Sequence, residues 1–263
     1  MKRILFIIIL SATALLSAQS FGQNKVQYRD YDWNFISSPQ FDVYYYGDEI
    51  ELAHFTMEVA TESYEQIAKH LRWNLTKRPV PIIIYHSHNE FQQTNVIGQY
   101  MQEGIGGVTE LFKNRVVIPF EGDYEAFRHV IHHELVHAMI NDMVYGGRMQ
   151  NIVSGRTTLR IPLWANEGLA EYLSMNWDTQ ADMTIRDLAI NERIPTIREL
   201  EYFLAYKGGQ SVWRFIANKY GREKIGEIFQ AMKRLGSAEN GFKEALGMDF
   251  EELTEQWHKY IKK

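Results

Sequence analysis

The stretch that decides the fold of this 263-residue chain is "HVIHHELVHAMI", residues 129–140. Its spacing is helical, and His133 and His137 stand four residues apart. On an α-helix, residues i and i+4 differ by about 40° of rotation, so both imidazoles project from one face. Glu134 lies about 100° further around the helix, within reach of a metal-bound water. The pattern predicts a metal site in which Glu134 acts on water and is not itself a ligand.

Two further histidines of this stretch have different interpretations. His132 lies five residues before His137, well around the helix, which predicts a partly exposed side chain. His129 approaches the same face as His133, but a fourth protein ligand would fill the position that a catalytic zinc keeps for water. We therefore expect His129 to line the cleft or to pack against the sheet. The alternative for the whole stretch, a histidine-rich core helix, would leave up to three imidazoles in need of buried partners.

A third ligand is required, because catalytic zinc is usually held by three protein side chains and one water. The chain has no cysteine, so only histidine and carboxylates can serve. "HELVHAMINDM" (133–143) lacks the glycine and the histidine that a metzincin places after this motif. The other source is a second helix, and "WANEGLAEY" (164–172) offers Glu167 and Glu171, four residues apart on one face.

"HHELVHAM" (132–139) followed by "PLWANEGLAEYLS" (162–174) resembles the gluzincin zinc metallopeptidases. It is most similar to the peptidase MA-like group found as the N-terminal module of TolB-like propeller proteins. The resemblance implies that Glu167, in "NEG", is the third zinc ligand and that Glu171 orients a zinc-bound histidine. A solvated helix face is the alternative for Glu171. No propeller sequence follows Lys263, so we expect the catalytic module alone or a shortened relative.

Related enzymes also stabilise the oxyanion with a tyrosine or histidine from their helical half. This points to Tyr206 in "LAYKGGQS" (204–211), although most of the 15 tyrosines are expected to be core or surface residues. Together, motif and resemblance predict that His133, His137 and Glu167 bind Zn²⁺, which activates water and polarises a carbonyl. Glu134 would accept the water's proton and pass it to the leaving nitrogen.

The predicted function is therefore that of a zinc-dependent metallopeptidase acting on polypeptides. Two alternatives share most of these residues: a non-catalytic, zinc-containing binding module of the cell envelope, and a metal-dependent hydrolase of a non-peptide amide. The intact Glu134 argues against the binding module, since a structural zinc site has no use for a general base and is normally closed by a fourth ligand.

The remaining sequence predicts an α+β fold, and the resemblance implies that its core is gluzincin-like or thermolysin-like. Strands are expected at 41–47 and 80–87, with a helix at 48–71 between them, followed by two strand-like pieces and the motif helix. The strand-like pieces are 108–111 and 115–120, the motif helix is 123–143, a second metal-binding helix starts at Pro162, and further helices are expected at 180–191, 196–205, 209–220, 222–235, 238–246 and 249–262. This predicts an α/β subdomain over 40–147 and a helical subdomain over 148–263, with the metal between them.

The strand pair before the motif helix has a possible role in substrate binding. In gluzincin-like folds the outer edge of such a pair faces the metal and can bind an extended peptide by strand addition. This favours a polypeptide substrate over a sugar or a phosphate ester. The alternative is that "VTELF" (108–112) is an interior strand with both edges paired.

The N-terminus predicts export. Lys2 and Arg3 precede an apolar run, Ile4–Leu16, and small residues suited to cleavage after Ala18 or Gly22. About 13 helical residues span only about 20 Å, whereas the hydrocarbon core of a bilayer is about 30 Å thick. We expect a cleavable signal peptide over 1–22, a periplasmic or secreted mature protein without an integral membrane segment, and a surface or poorly ordered stretch at 23–38.

Composition narrows the class of protein further. The chain is 45% hydrophobic and 13% aromatic, which is typical of a folded globular protein. Its formal net charge is −5, and no basic run exceeds two residues. Nucleic acid is therefore not expected as a partner, because binding to phosphate backbones depends on clustered positive charge.

Overall fold

The computed structural model describes residues 29–76, 79–96, 104–111, 113–146 and 159–263. The expected signal peptide and most of the loop before Pro162 lie outside the described residues. Among the described residues, no helix combines the length and the apolar character that crossing a bilayer requires.

A five-stranded mixed sheet forms the first part of the described chain. Its strands are β1 (Trp33–Ser37), β2 (Phe41–Tyr46), β3 (Val80–Tyr85), β4 (Val108–Thr109) and β5 (Val116–Pro119). The order across the sheet is β1-β2-β3-β5-β4, in which β2, β3 and β5 run parallel and the two outer strands run antiparallel to their neighbours. The predicted α+β class with a small mixed sheet is confirmed.

Residues 29–38, the described part of the stretch 23–38, lie mostly on the surface as expected, but they also contain a strand. β1 pairs with β2 along its whole length, from Trp33 opposite Tyr46 to Ser37 opposite Asp42. Most of its side chains are exposed, as a surface segment requires. The polar composition indicated the exposure, but main-chain pairing at the edge of a sheet needs no buried side chains.

Two long helices cover one face of the sheet, and the motif lies on the second. They are α1 (Ile50–Leu71) and α3 (Tyr124–Tyr145), with the one-turn helix α2 (His88–Phe91) between them in sequence. The Asp123 side chain caps α3 by accepting hydrogen bonds from Glu125 N (2.9 Å) and Ala126 N (3.1 Å). Gly146 ends the helix with φ of 57°, a left-handed conformation that glycine adopts without strain.

From Leu163 onward, the described chain contains helices and no strand. It contains α4 (Leu163–Met175), α5 (Thr179–Ile190), a 3₁₀ turn (Ile197–Glu199), α6 (Tyr202–Tyr220), α7 (Glu223–Leu235), α8 (Ala238–Leu246) and α9 (Phe250–Ile261). Trp213 of α6 contacts α4 in the buried core, where its indole N–H donates a hydrogen bond of 2.9 Å to the Ala165 carbonyl oxygen.

One helix replaces two that the sequence predicts. The expected break between 196–205 and 209–220 was wrong: α6 runs unbroken through Gly208 and Gly209. A Cβ on Gly168 of α4 would overlap the backbone of Gly209, so the two helices cross at van der Waals contact of their main chains. Gly168 and Gly209 permit this close approach, whereas a Cβ on Gly208 would overlap the Leu200 side chain. Local sequence signals cannot distinguish such packing from a helix break.

Candidate metal centre

Helices α3 and α4 bring the predicted ligands together. The Nε2 atoms of His133 and His137 are 3.2 Å apart, as their spacing of one helical turn predicts. Glu167 Oε2, on α4, lies 3.3 Å from His133 Nε2 and 3.1 Å from His137 Nε2. Three potential ligand atoms from two helices therefore converge on one point.

The triangle formed by these atoms fits a zinc ion. Bonds of about 2.0–2.1 Å at tetrahedral angles separate neighbouring ligand atoms by about 3.3 Å. The three observed separations, 3.1, 3.2 and 3.3 Å, agree with that value. Two nitrogens and one carboxylate oxygen are also the donors found in catalytic zinc sites that keep a position open for water.

Glu171 holds His133 from the other side of its ring. Glu171 Oε1 lies 3.0 Å from His133 Nδ1, and the side chain is buried, which contradicts the alternative of a solvated helix face. A carboxylate can only accept, so Nδ1 carries a hydrogen, and when Nε2 gives up its own proton its lone pair points toward Glu167. That lone pair faces a carboxylate and a second imidazole, an arrangement that a cation satisfies.

Charges around His133 shift its pKa strongly. Burial lowers the pKa of His133, but hydrogen bonds to Glu167 and Glu171 outweigh burial and raise the pKa to about 10. Burial raises the pKa of Glu167, yet His137 and His133 hold that pKa well below its usual range. The negative potential that attracts a proton here equally attracts a divalent cation, which competes with protons for Nε2.

A buried lysine completes the support of Glu171. Lys207 Nζ, on α6, lies 2.6 Å from Glu171 Oε2 and 3.0 Å from Asp178 Oδ2. Burial lowers the pKa of Lys207, but the two carboxylates outweigh burial and keep that pKa above its usual value. Asp178 in turn caps α5 by accepting from Ala181 N at 2.9 Å. Helices α3, α5 and α6 are thus connected to the Glu171 carboxylate through His133, Asp178 and Lys207.

Glu134 faces the same cleft from α3. Its carboxylate Oε2 accepts a hydrogen bond of 2.6 Å from the hydroxyl of Thr109, on β4. The cleft has a volume of about 460 Å³. It is lined by residues of the β4 region, α3, α4 and α6, namely Ile105, Gly107, Val108, Thr109, Leu111, His133, Glu134, His137, Asn141, Tyr145, Ile161, Asn166, Glu167 and Tyr206.

Tyr206 lines the cleft beside His133. Its ring is nearly parallel to that of His133, at 16°, with centroids 6.1 Å apart. Burial raises the pKa of Tyr206 above its usual value, and the carboxylates of Glu167 and Glu134 raise it further. The phenol therefore stays protonated at neutral pH and is able to donate a hydrogen bond into the cleft.

The two remaining histidines of the motif lie in different surroundings. His132 is buried, so the prediction of a partly exposed side chain was wrong, because α1 covers this side of α3. Burial, followed by repulsion from His129 and His133, lowers the pKa of His132 to about 4. His129 Nε2 lies 3.4 Å from Glu171 Oε1, so this ring adjoins the carboxylate that orients His133.

Sequence reasoning missed Thr109 and Lys207. Each is separated by 25 or more residues from the side chain it contacts, Glu134 or Glu171, so no local spacing connects the pairs. Both lie within segments that the sequence singled out for other reasons: the strand pair before the motif helix and the "AYKGGQS" stretch (205–211).

Comparison with known proteins agrees with this arrangement. The model of the Peptidase MA superfamily matches residues 59–263, which include both metal-binding helices. The chain is also similar to YhcO of Bacillus subtilis strain 168, an uncharacterized protein, with 24% identity over 241 residues covering 86% of this chain and 71% of YhcO. The family match spans well over half of the sequence, and the chain therefore belongs to the Peptidase MA superfamily.

Proposed function

We propose that this protein is an exported, zinc-dependent metallopeptidase with a gluzincin-like core. The observation that carries the proposal is the convergence of His133 Nε2, His137 Nε2 and Glu167 Oε2, with separations of 3.1–3.3 Å, in the cleft that also contains Glu134. His133, His137 and Glu167 would hold the ion. When bound, zinc would lower the pKa of water to about 7 and polarise the substrate carbonyl.

The remaining chemistry belongs to the protein's own side chains. Glu134 removes a proton from the attacking water and passes it to the leaving nitrogen. The Tyr206 hydroxyl donates a hydrogen bond to the oxyanion that develops on the carbonyl oxygen. Glu171 keeps the hydrogen of His133 on Nδ1, and Lys207 holds Glu171 in place.

The position of β4 supports a polypeptide as substrate. In the described part of the sheet, β4 is an outermost strand whose only paired neighbour is β5, so it is not an interior strand. Val108 and Thr109 of β4 line the cleft. An extended peptide could add to this edge through main-chain hydrogen bonds, which places a peptide bond beside Glu134 without requiring one particular side chain.

Export is proposed from the N-terminal sequence. The basic start, the apolar run Ile4–Leu16 and the small residues before Gly22 together support removal of residues 1–22 during secretion. N-terminal sequencing of the protein purified from the periplasm or the medium tests this directly. A mature N-terminus near Gln19 or Gln23 is expected, and retention of Met1 would contradict it.

The catalytic proposal is tested by metal analysis together with peptide digestion. Wild type and Glu134→Gln should each contain about one zinc per chain, because Glu134 is not a ligand in this proposal. The variant should cleave a peptide library about 10²- to 10⁴-fold more slowly, the usual contribution of a general base. Equal cleavage by both proteins would overturn the proposal, and zinc without cleavage in wild type would favour a binding module instead.

A further inference from the structure

Thr109 makes a contact that the proposed reaction does not yet use. Its hydroxyl lies 2.6 Å from the carboxylate Oε2 of Glu134 and 2.9 Å from the main-chain carbonyl oxygen of the same residue. Both distances are within the range of O–H···O hydrogen bonds, and the shorter one is typical of an ionised acceptor. One hydroxyl therefore reaches both polar ends of Glu134.

The contact restricts a side chain that helix geometry alone leaves free. Glu134 has three rotatable side-chain bonds, and its position on α3 fixes only the direction of the Cα–Cβ bond. The main-chain oxygen of Glu134 shares the single hydroxyl hydrogen with the carboxylate, so Thr109 fixes the carboxylate relative to the backbone of α3. A hydroxyl also suits a proton-transferring carboxylate, because it can both donate and accept.

Gly107, two residues before Thr109, leaves the space that this arrangement needs. A Cβ at position 107 would lie 3.0 Å from Glu134 Cγ, 3.1 Å from Glu134 Oε1 and 2.9 Å from Val130 Cγ1. Such distances are shorter than ordinary van der Waals contact. By contrast, a Cβ at the neighbouring Gly106 would meet Val130 Cγ2 at an unstrained 3.5 Å.

We propose that Thr109 is a positioning residue, which fixes the Glu134 carboxylate for proton transfer, and that Gly107 keeps that position open. The inference rests on the proposed function, because it gives Glu134 the task of general base. It goes further by giving β4 a second role. The strand proposed to bind the substrate also orients the Glu134 carboxylate. Substrate and base would thereby be aligned by the same two-residue strand.

The first test compares Thr109→Val, which removes the hydroxyl at nearly constant volume, with Thr109→Ser, which retains it. Cleavage of denatured casein and of a quenched fluorogenic peptide library is measured alongside Glu134→Gln. We expect kcat of Thr109→Val to fall about 10- to 100-fold, the loss of a hydrogen bond to a charged group. KM and zinc content should be unchanged, and Thr109→Ser should retain activity within about threefold.

Two controls separate positioning from general damage. Thr56→Val removes another buried hydroxyl, which bonds only within α1 to Leu52 O, and should leave kcat unchanged. Gly107→Ala should lower kcat, whereas Gly106→Ala should not. A fully active Thr109→Val beside an inactive Glu134→Gln would overturn the positioning role alone. Full activity of Glu134→Gln would overturn the proposed function and the positioning role together.

A measurement that needs no turnover tests the contact itself. Unfolding equilibria of Thr109→Val, Glu134→Ala and the double variant form a thermodynamic cycle. Either single substitution abolishes the same hydrogen bond, so the second substitution should add little once the first is present. The effect of the double variant on the unfolding equilibrium constant should therefore be about tenfold smaller than the product of the two single effects. Additive effects would contradict the hydrogen bond, whether or not any peptide is cleaved.

Discussion

The two sides of helix α3 bury polar groups in opposite ways. Asp142, nine residues and therefore half a rotation from His133, accepts hydrogen bonds from Trp73 Nε1, Thr76 N and Thr76 Oγ1 at 2.7–2.8 Å. The chain itself satisfies this carboxylate. On the cleft side, His133, His137 and Glu167 converge on one point without a further donor from the described chain between them, an arrangement that could hold a divalent cation.

Adjacent histidines show the same contrast in their pKa values. His132 and His133 are both buried, yet the pKa of His132 is lowered to about 4 and that of His133 is raised to about 10. The difference lies in the neighbours, because burial lowers both values and only His133 has carboxylate partners. Buried polar groups on α3 are therefore satisfied within the chain on one side and form a potential metal site on the other.

The largest expected effect concerns the cleft side. Glu167→Gln removes a ligand, whereas Glu171→Gln leaves all three ligands and weakens only the hold on His133. Loss of a hydrogen-bond partner of a ligand, as in Glu171→Gln, typically lowers metal affinity about 10- to 100-fold. Glu167→Gln should lower zinc affinity by more than this. Competition with a chelator of known zinc affinity measures both. If Glu171→Gln proved as damaging as Glu167→Gln, the assignment of the third ligand would be wrong.

The next effect concerns the opposite side of α3. Asp142→Ala leaves the Trp73 and Thr76 donors without their acceptor in a buried site, so the free energy of unfolding should fall by about 2–4 kcal/mol. Zinc affinity of the folded protein should be unchanged. Denaturant unfolding and metal titration check the two halves of this prediction. A parallel loss of zinc affinity would show that the two sides are coupled.

The smallest effect is the pH dependence caused by His132. Its folded-state pKa of about 4 lies below the ordinary value of 6.5, so the unfolded chain binds more protons between these values. The stability due to neutral His132 is therefore present above about pH 6.5 and is lost as the pH falls toward 4. Between pH 7 and 5.5 the loss should be about 1 kcal/mol.

Comparing the unfolding of wild type and His132→Gln at pH 7 and pH 5.5 measures the contribution of His132. The free energy of unfolding of the variant should fall by about 1 kcal/mol less than that of wild type over this interval. His54→Gln, at an exposed position of α1, is the matched control and should behave as wild type. Identical pH profiles for wild type and His132→Gln would contradict the assignment.

The metal-binding side could be predicted because its geometry is local. The spacing of His133 and His137 fixes their shared face, and the same rule pairs Glu167 with Glu171. Which of the two carboxylates approaches the imidazoles came from the family resemblance. The structure places Glu167 between the Nε2 atoms and Glu171 behind the ring.

The errors arose where a neighbour distant in sequence decides the outcome. His132 is buried because α1 covers it, and helical spacing contains no information about the covering element. Gly208 and Gly209 suggested a break, but Gly209 packs against Gly168, which is about forty residues away on α4. Thr109 and Lys207 were overlooked for the same reason, since their contacts exist only after β4 and α6 have packed beside the motif helices.

The crossing of α4 and α6 at Gly168 and Gly209 also governs the dimensions of the cleft. Glu167 immediately precedes one of these glycines, and Tyr206 lies one turn before the other. Any side chain at the crossing would force the helices apart and carry the carboxylate and the phenol with them. The separation of the Glu167 carboxylate and the Tyr206 phenol therefore depends on the absence of side chains at the crossing, so a single methyl group added at Gly168 or Gly209 would alter a cleft that neither glycine lines.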